Sequence, residues 1–277
     1  MRLIACHTDR GLNPGLYRDG KVLPLSVGAT WEESISALHR LQGVAPPAGE
    51  PLLATATLPA VPATDKTRIL CVGVNYADHA SEGKMDAPKF PNFFVRYLSS
   101  LVADGESIVK PKVSDAFDYE AELVIIIGKQ ARHVTRERAL EHVFGYTVGM
   151  DGSVRDYQRR TSQFTMGKNF DRSGSLGPAI VTADELPPGG TGLKVQSWLN
   201  GKLMQDGNTA DLIFDTAAIV SYLSEAMVLN PGDLIFTGTP SGVGFARQPP
   251  VFMKEGDVLE VSVEGIGKLT HKVVAER

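Results

Sequence analysis

Two rhythms of apolar and polar residues run along this chain, and they divide it near residue 65. Ahead of that point, residues 3–6 read as a strand. Gly15-Leu16-Tyr17 and Val22-Leu23-Pro24-Leu25 flank Asp19-Gly20, a hairpin signal. Thr30 then caps a helix whose apolar face is Ile35, Leu38 and Leu41, with Glu33 completing a capping box. Pro46, Pro47, Pro51, Pro59 and Pro62 interrupt the pattern and predict a linker or wrapping arm. Beyond it, apolar runs at 69–74, 93–97, 123–127, 145–150, 176–181 and 234–237 predict buried strands. Alternation at 193–199 and 257–274 predicts strands with one wet face, and Asn200-Gly201 is the strongest hairpin signal in the chain. Helices are predicted over 135–144, capped by Thr135, and from Asp215-Thr216 through Ile219, Val220, Leu223 and Met227. Strands outnumber helices without regular βα alternation, which predicts a mixed sheet or roll and not a doubly wound fold.

One stretch breaks the apolar pattern in an informative way. Residues 118–128 read as a strand entered by Asp118, Glu120 and Glu122. Side chains two apart share a strand face, so the three acids are expected to point one way into a buried environment. Their repulsion and desolvation need an offset, and a hard divalent cation supplies one through carboxylate oxygens. Read alone, the Glu-x-Glu pair also fits a strand end in solvent. Asp151, at the end of the strand over 145–150, is a candidate third ligand from a distant part of the chain.

Three other segments carry possible chemistry. His79 and Glu82 are three apart, so a helical turn lets the carboxylate orient the imidazole as a general base; a surface ion pair is the plainer alternative. The Gly83-Lys84-Met85-Asp86-Ala87-Pro88 segment after it has the composition of a lid. Lys168 sits beside Gly167 in a turn-rich segment suited to close approach by an anionic substrate. The loop Gly238-Thr239-Pro240-Ser241-Gly242-Val243-Gly244 lacks the lysine of a phosphate-binding loop. It is expected to turn backbone amides and the Thr239 hydroxyl toward a small substrate.

Composition narrows the class. The chain has 277 residues, 43% hydrophobic and 22% charged, enough for one large domain with a small appendage. A net charge of -4 without a basic, aromatic-interleaved patch gives no reason to expect nucleic acid. Cys6 and Cys71, both in apolar segments, are expected as buried thiols, which favours a cytoplasmic setting. No apolar run reaches the length of a membrane span.

Taken together, the motifs resemble those of the fumarylacetoacetate hydrolase family. The matching pieces are Gly73-Val74-Asn75-Tyr76 with His79 and Glu82; Asp118-Tyr119-Glu120-Ala121-Glu122-Leu123; Gly145-Tyr146-Thr147 with Asp151, Arg155-Asp156 and Gln158; Gly167-Lys168-Asn169-Phe170-Asp171; Leu176-Gly177-Pro178; Asn200-Gly201; Pro231-Gly232-Asp233-Leu234-Ile235; and residues 237–244. The resemblance implies an α+β, mostly β fold: a mixed β-sandwich roll over residues 66–277 behind a small N-terminal domain over 1–65. It implies Mg²⁺, or Mn²⁺ or Ca²⁺, on Glu120, Glu122 and Asp151. It implies His79, Glu82 and Lys168 as catalytic residues, and Gln158, Thr239, Tyr76 and Arg155 as substrate contacts. The activity implied is metal-dependent C–C hydrolysis of an acylpyruvate or related diketo acid, with isomerase or decarboxylase as the alternative, in a homodimer. Two positions depart from the family's usual pattern: Met150 stands where asparagine is common, and Arg96-Tyr97 where Lys-Pro is common.

Overall fold

The computed structural model describes residues 1–8, 11–18, 21–25, 27–41, 60–83, 86 and 88–277. The Asp19-Gly20 turn, four of the five interrupting prolines, and Lys84, Met85 and Ala87 of the lid-like segment lie outside the described residues. The chain opens with β1 (Arg2–Thr8), β2 (Gly11–Arg18), β3 (Lys21–Pro24) and helix α1 (Trp31–Arg40). There follow β4 (Ile69–Gly73), α2 (Ala77–Glu82), β5 (Asn92–Arg96), β6 (Leu101–Val102), β7 (Ile108–Lys110), β8 (Phe117–Asp118) and β9 (Ala121–Ile127). Next come α3 (Arg136–Ala139), β10 (Val143–Met150), β11 (Ser153–Val154), α4 (Arg155–Gln158), α5 (Thr165–Lys168) and β12 (Gly174–Thr182). The chain closes with β13 (Lys194–Leu199), β14 (Lys202–Asn208), α6 (Thr216–Ala226), β15 (Leu234–Phe236), β16 (Val258–Val263) and β17 (Gly267–Ala275). The fold is α+β and mostly β, as the strand-rich pattern predicts.

A mixed sheet in the order β3-β2-β1-β12-β10-β9-β15-β4-β5 forms the middle layer. Its central strands read as unbroken apolar runs because both their faces are covered. In β9, Leu123, Ile125 and Ile127 enter one core while Val124 and Ile126 enter the other. The first core is closed by the sheet β14-β13-β16-β17-β7, whose Val195, Leu259, Val261 and Leu269 face inward, and by Ile219, Val220 and Leu223 of α6. The second core is closed by Trp31, Ile35 and Leu38 of α1. Each such buried side chain contributes about 1.5–3 kcal/mol. The leading strands join the middle layer directly, since β1 pairs with β12.

Local signals are realised where no tertiary demand competes. Thr30 Oγ1 accepts from the Glu33 amide at 3.2 Å, and Glu33 reaches back to the Ala29 amide at 2.9 Å. Asp215 Oδ1 caps α6 through the Ala218 amide at 2.8 Å. Asn200 (φ 52°) and Gly201 (φ 77°) make the β13–β14 turn, whose left-handed backbone explains that residue pair. The helix predicted over 135–144 is a correction. Helical geometry ends in a 3₁₀ turn at His142, and Val143 and Phe144 belong to β10. Thr135 makes no side-chain cap bond, and pairing of Val143 with Ile127 draws the segment's end into the sheet. No described helix is long and apolar enough to cross a membrane.

Candidate active site

Strand register assembles the acids. β9 runs antiparallel to β10 and to β15, with Glu122 opposite Gly149 and Val124 opposite Phe236. The start of β9 therefore lies beside the ends of β10 and β15, and the Asp151 amide extends the ladder to the Glu120 carbonyl at 3.0 Å. Glu120, Glu122 and Asp151 each offer an oxygen within 4.8 Å of the others, and all three are buried.

Asp118 does not join them, which corrects the single-face reading of the acidic strand. The chain leaves the sheet between β8 and β9, and β8 pairs instead with β11. Asp118 turns away to accept from Arg155 Nε at 2.8 Å and from the amides of Gly244 and Phe245 at 2.7 and 3.0 Å.

Three buried cations meet the acids. Lys168 Nζ, on α5, donates to Glu120 Oε2 at 2.6 Å and Asp151 Oδ2 at 2.5 Å. Arg155, at the start of α4, lies 2.7 Å from Glu120 Oε1 and donates to Gln158 Oε1 at 3.0 Å. Arg96, at the end of β5, donates to Asp151 Oδ1 at 2.5 Å, to the Gly152 carbonyl at 3.0 Å and to Ser173 Oγ at 3.0 Å. The sequence marks Arg96 only as a departure from a family pattern; nothing in it shows that β5 ends against Asp151.

The electrostatics are uneven across the triad. Burial pushes the Glu120 carboxyl up, but Lys168 and Arg155 outweigh it and hold the group at about 2. Glu122 is driven well above the usual carboxylate range by burial, then by Asp151 and Glu120. It accepts from the Gly238 amide at 2.7 Å, and no lysine or arginine among the described residues pairs with it. A third buried carboxylate facing two others without its own cation fits a site for a divalent ion, whose hard charge suits an all-oxygen donor set.

His79 and Glu82 share one face of α2, and His79 Nδ1 lies 2.8 Å from Glu82 Oε1. The glycine loop behaves differently from expectation. Its amides are occupied by protein acids: Gly238 by Glu122, Gly242 by Glu82 at 2.9 Å, and Gly244 by Asp118. Gly238 has φ 97°, and a Cβ there would meet the Cβ of Asn75 at 2.8 Å, so glycine is required. The Thr239 hydroxyl donates to the Ala121 carbonyl at 2.9 Å and accepts from Gln205 Nε2 at 2.7 Å. The loop thus fastens the acids and the dyad to the sheet.

One cavity of about 140 Å³ joins these groups. His79, Glu120, Glu122, Asp151, Arg155, Gln158, Lys168 and Thr239 all line it. Tyr76 does not: it is wholly buried, its hydroxyl has no hydrogen-bond partner among the described residues, and burial, then Glu122, raises its pKa. Its neighbour Asn75 spans the Phe214 backbone and the Thr237 carbonyl, so this motif knits β4 to β15 and to the approach to α6. Phe94, Arg159, Phe164 and Phe245 also line the cavity, and none has a local sequence signal for that place.

Comparison with known proteins agrees with this picture. The family model described as "Fumarylacetoacetate (FAA) hydrolase C-terminal" matches residues 68–274. The mitochondrial oxaloacetate tautomerase of Xenopus laevis is 41% identical over 216 residues, covering 77% of this chain and 67% of that protein. A fumarylacetoacetate hydrolase from Exiguobacterium antarcticum superposes with TM-score 0.84 at 35% identity, over 100% of both chains. Fumarylpyruvate hydrolase from Pseudomonas aeruginosa, solved in complex with Mn²⁺ and pyruvate, superposes with TM-score 0.68 at 35% identity, over 79% of this chain and 92% of that one.

Proposed function

Since the chain belongs to the fumarylacetoacetate hydrolase family, we propose that its acid-lined cavity hydrolyses a C–C bond of an acylpyruvate or related diketo acid with a divalent metal. The observation that carries this reading is one small cavity bounded by a buried three-carboxylate cluster and by His79, which is hydrogen-bonded to Glu82 behind it.

Glu120, Glu122 and Asp151 would hold Mg²⁺, Mn²⁺ or Ca²⁺, and the ion would supply Lewis-acid polarisation of a 2-oxo acid. The chain's own groups divide the remaining work. Glu82 on Nδ1 leaves Nε2 of His79 to take a proton from water. Gln158, with its carbonyl oxygen engaged by Arg155, retains its amide N–H groups to hold that water. Hydroxide adds to the distal carbonyl, the C–C bond breaks, and its electron pair passes to the pyruvate side as an enolate. Lys168 stabilises the developing negative charge. Protonation of that carbon then yields pyruvate and a carboxylic acid. Arg155 and Thr239 complete the wall that orients the substrate. Tyr76, placed with the substrate contacts by resemblance, acts from behind the wall through packing.

A second reading is keto–enol tautomerisation of a 2-oxo diacid, favoured by the named activity of the Xenopus relative. It needs enolate formation without water attack, so His79 would move a carbon-bound proton. We also propose a homodimer, on the resemblance together with the exposed Phe90, Tyr97 and Met166, and a cytoplasmic setting on two buried thiols.

The deciding experiment incubates the Mg²⁺- or Mn²⁺-loaded protein with acylpyruvates and with oxaloacetate, following pyruvate release and enol absorbance separately. Pyruvate release from acylpyruvates supports hydrolysis. Enol decay without cleavage supports the second reading, and no metal-dependent change in either signal refutes both.

A further inference from the structure

The cations around the cavity are unequally committed. Arg96, Arg155 and Lys168 are each engaged by buried carboxylates. Arg159 is not: it lines the same cavity, its side chain stays exposed, and among the described residues no carboxylate lies within ion-pair distance of it. Its guanidinium carbon lies 4.3 Å from the centroid of the Phe245 ring, and that of Arg155 lies 4.5 Å from the same ring. The backbone that carries the ring is anchored, because the Phe245 amide donates to Asp118 at 3.0 Å. Stacking holds a planar guanidinium by its face and leaves its N–H edge to make hydrogen bonds.

The placement along the cavity is informative. Glu120 pairs with Arg155, Arg155 packs on Phe245, and Phe245 packs on Arg159. His79 meets the same ring edge-on at 6.4 Å. The candidate base therefore lies beside the ring that separates the acid cluster from an uncommitted cation. Two guanidinium groups against one ring repel each other, and a substrate carboxylate bound to Arg159 relieves that repulsion.

We infer that Arg159 receives a second carboxylate, at the end of the substrate remote from the 2-oxo acid, and so selects dicarboxylates. The inference rests on the functional reading above. A planar fork matches a carboxylate bidentately, and a charge-assisted pair of this kind changes affinity about 10- to 100-fold.

The test uses two unreactive 2-oxo acids of equal length, 2-oxoadipate with a charged tail and 2-oxohexanoate without one. Each is titrated calorimetrically into the Mg²⁺-loaded protein and into Arg159→Ala and Arg159→Lys variants. The expected result is a preference of about 10- to 100-fold for 2-oxoadipate, reduced to about threefold or less by Arg159→Ala and partly kept by Arg159→Lys. A protein that binds both acids alike overturns the inference alone. So does an Arg159→Ala variant that weakens both equally, since that marks a packing role. A protein that binds neither acid overturns the inference and the functional reading together.

Discussion

His79 Nδ1 lies 2.8 Å from Glu82 Oε1, and the second oxygen of that carboxylate accepts from the Gly242 amide at 2.9 Å. The glycine loop thus holds the acid that holds the imidazole. Removing the imidazole with His79→Ala should lower pyruvate release from an acylpyruvate by about 10²–10⁴-fold. Glu82→Gln keeps the shape but loses the charge that orients the ring, so it should cost less. A coupled pyruvate assay across pH checks both. Full activity in His79→Ala would remove His79 as the base.

Glu122 faces Asp151 and Glu120, and no lysine or arginine among the described residues pairs with it. Glu122→Gln should therefore stabilise the metal-free protein, by about 1–3 kcal/mol, while abolishing the gain in melting temperature on adding Mg²⁺. Asp151→Asn should also abolish that gain, without comparable stabilisation, because it leaves Arg96 and Lys168 short of a partner. Thermal melts in EDTA and in excess Mg²⁺ separate the two effects. A Mg²⁺ response that survives in both variants would exclude the triad as the metal site.

Arg96 is buried with its fork distributed over Asp151, Gly152, Ser100 and Ser173. Arg96→Met leaves the Asp151 carboxylate half-compensated and should cost about 3–5 kcal/mol in urea unfolding. Arg96→Lys keeps the charge but loses the fork, and should cost less. Equal costs would show that the forked geometry contributes nothing.

His271 in β17 gives a separate pH response. Burial lowers its pKa below the ordinary value of about 6.5. Its Nδ1 lies 2.7 Å from the Glu106 carbonyl, and Nε2 is buried with no hydrogen-bond partner among the described residues. The folded state thus favours the neutral ring. Its contribution is complete above the unfolded value and is lost as pH falls from there toward the folded value. Glu120, held at about 2, contributes above the unfolded carboxylate value and loses that contribution only at lower pH. Glu122, held well above the usual carboxylate range, acts in the opposite sense as pH falls, so His271 is read by difference: the urea midpoint of the parent protein should fall relative to that of His271→Gln as pH drops below about 6.5. An unchanged slope in the variant would show that other groups carry it.

Much of this molecule is legible residue by residue, because the signals are local. The Thr30 and Asp215 caps, the Asn200-Gly201 turn and the unbroken apolar run of β9 depend on neighbours close in sequence and on burial of both faces of a strand. Motif order was enough to indicate the family and to single out Glu120, Glu122, Asp151, His79 and Lys168, all of which the fold brings to one cavity.

Tertiary structure alone decided the rest, since contacts between distant segments leave no periodic trace. It separated Asp118 from the other acids by lifting β8 out of the main sheet, and it drew residues 143 and 144 from a predicted helix into β10. It turned the glycine loop's amides onto protein carboxylates instead of toward a substrate. It also brought Arg96 to Asp151 and set Arg159 beside Phe245, 86 residues further along the chain, where chain spacing carries no information about proximity.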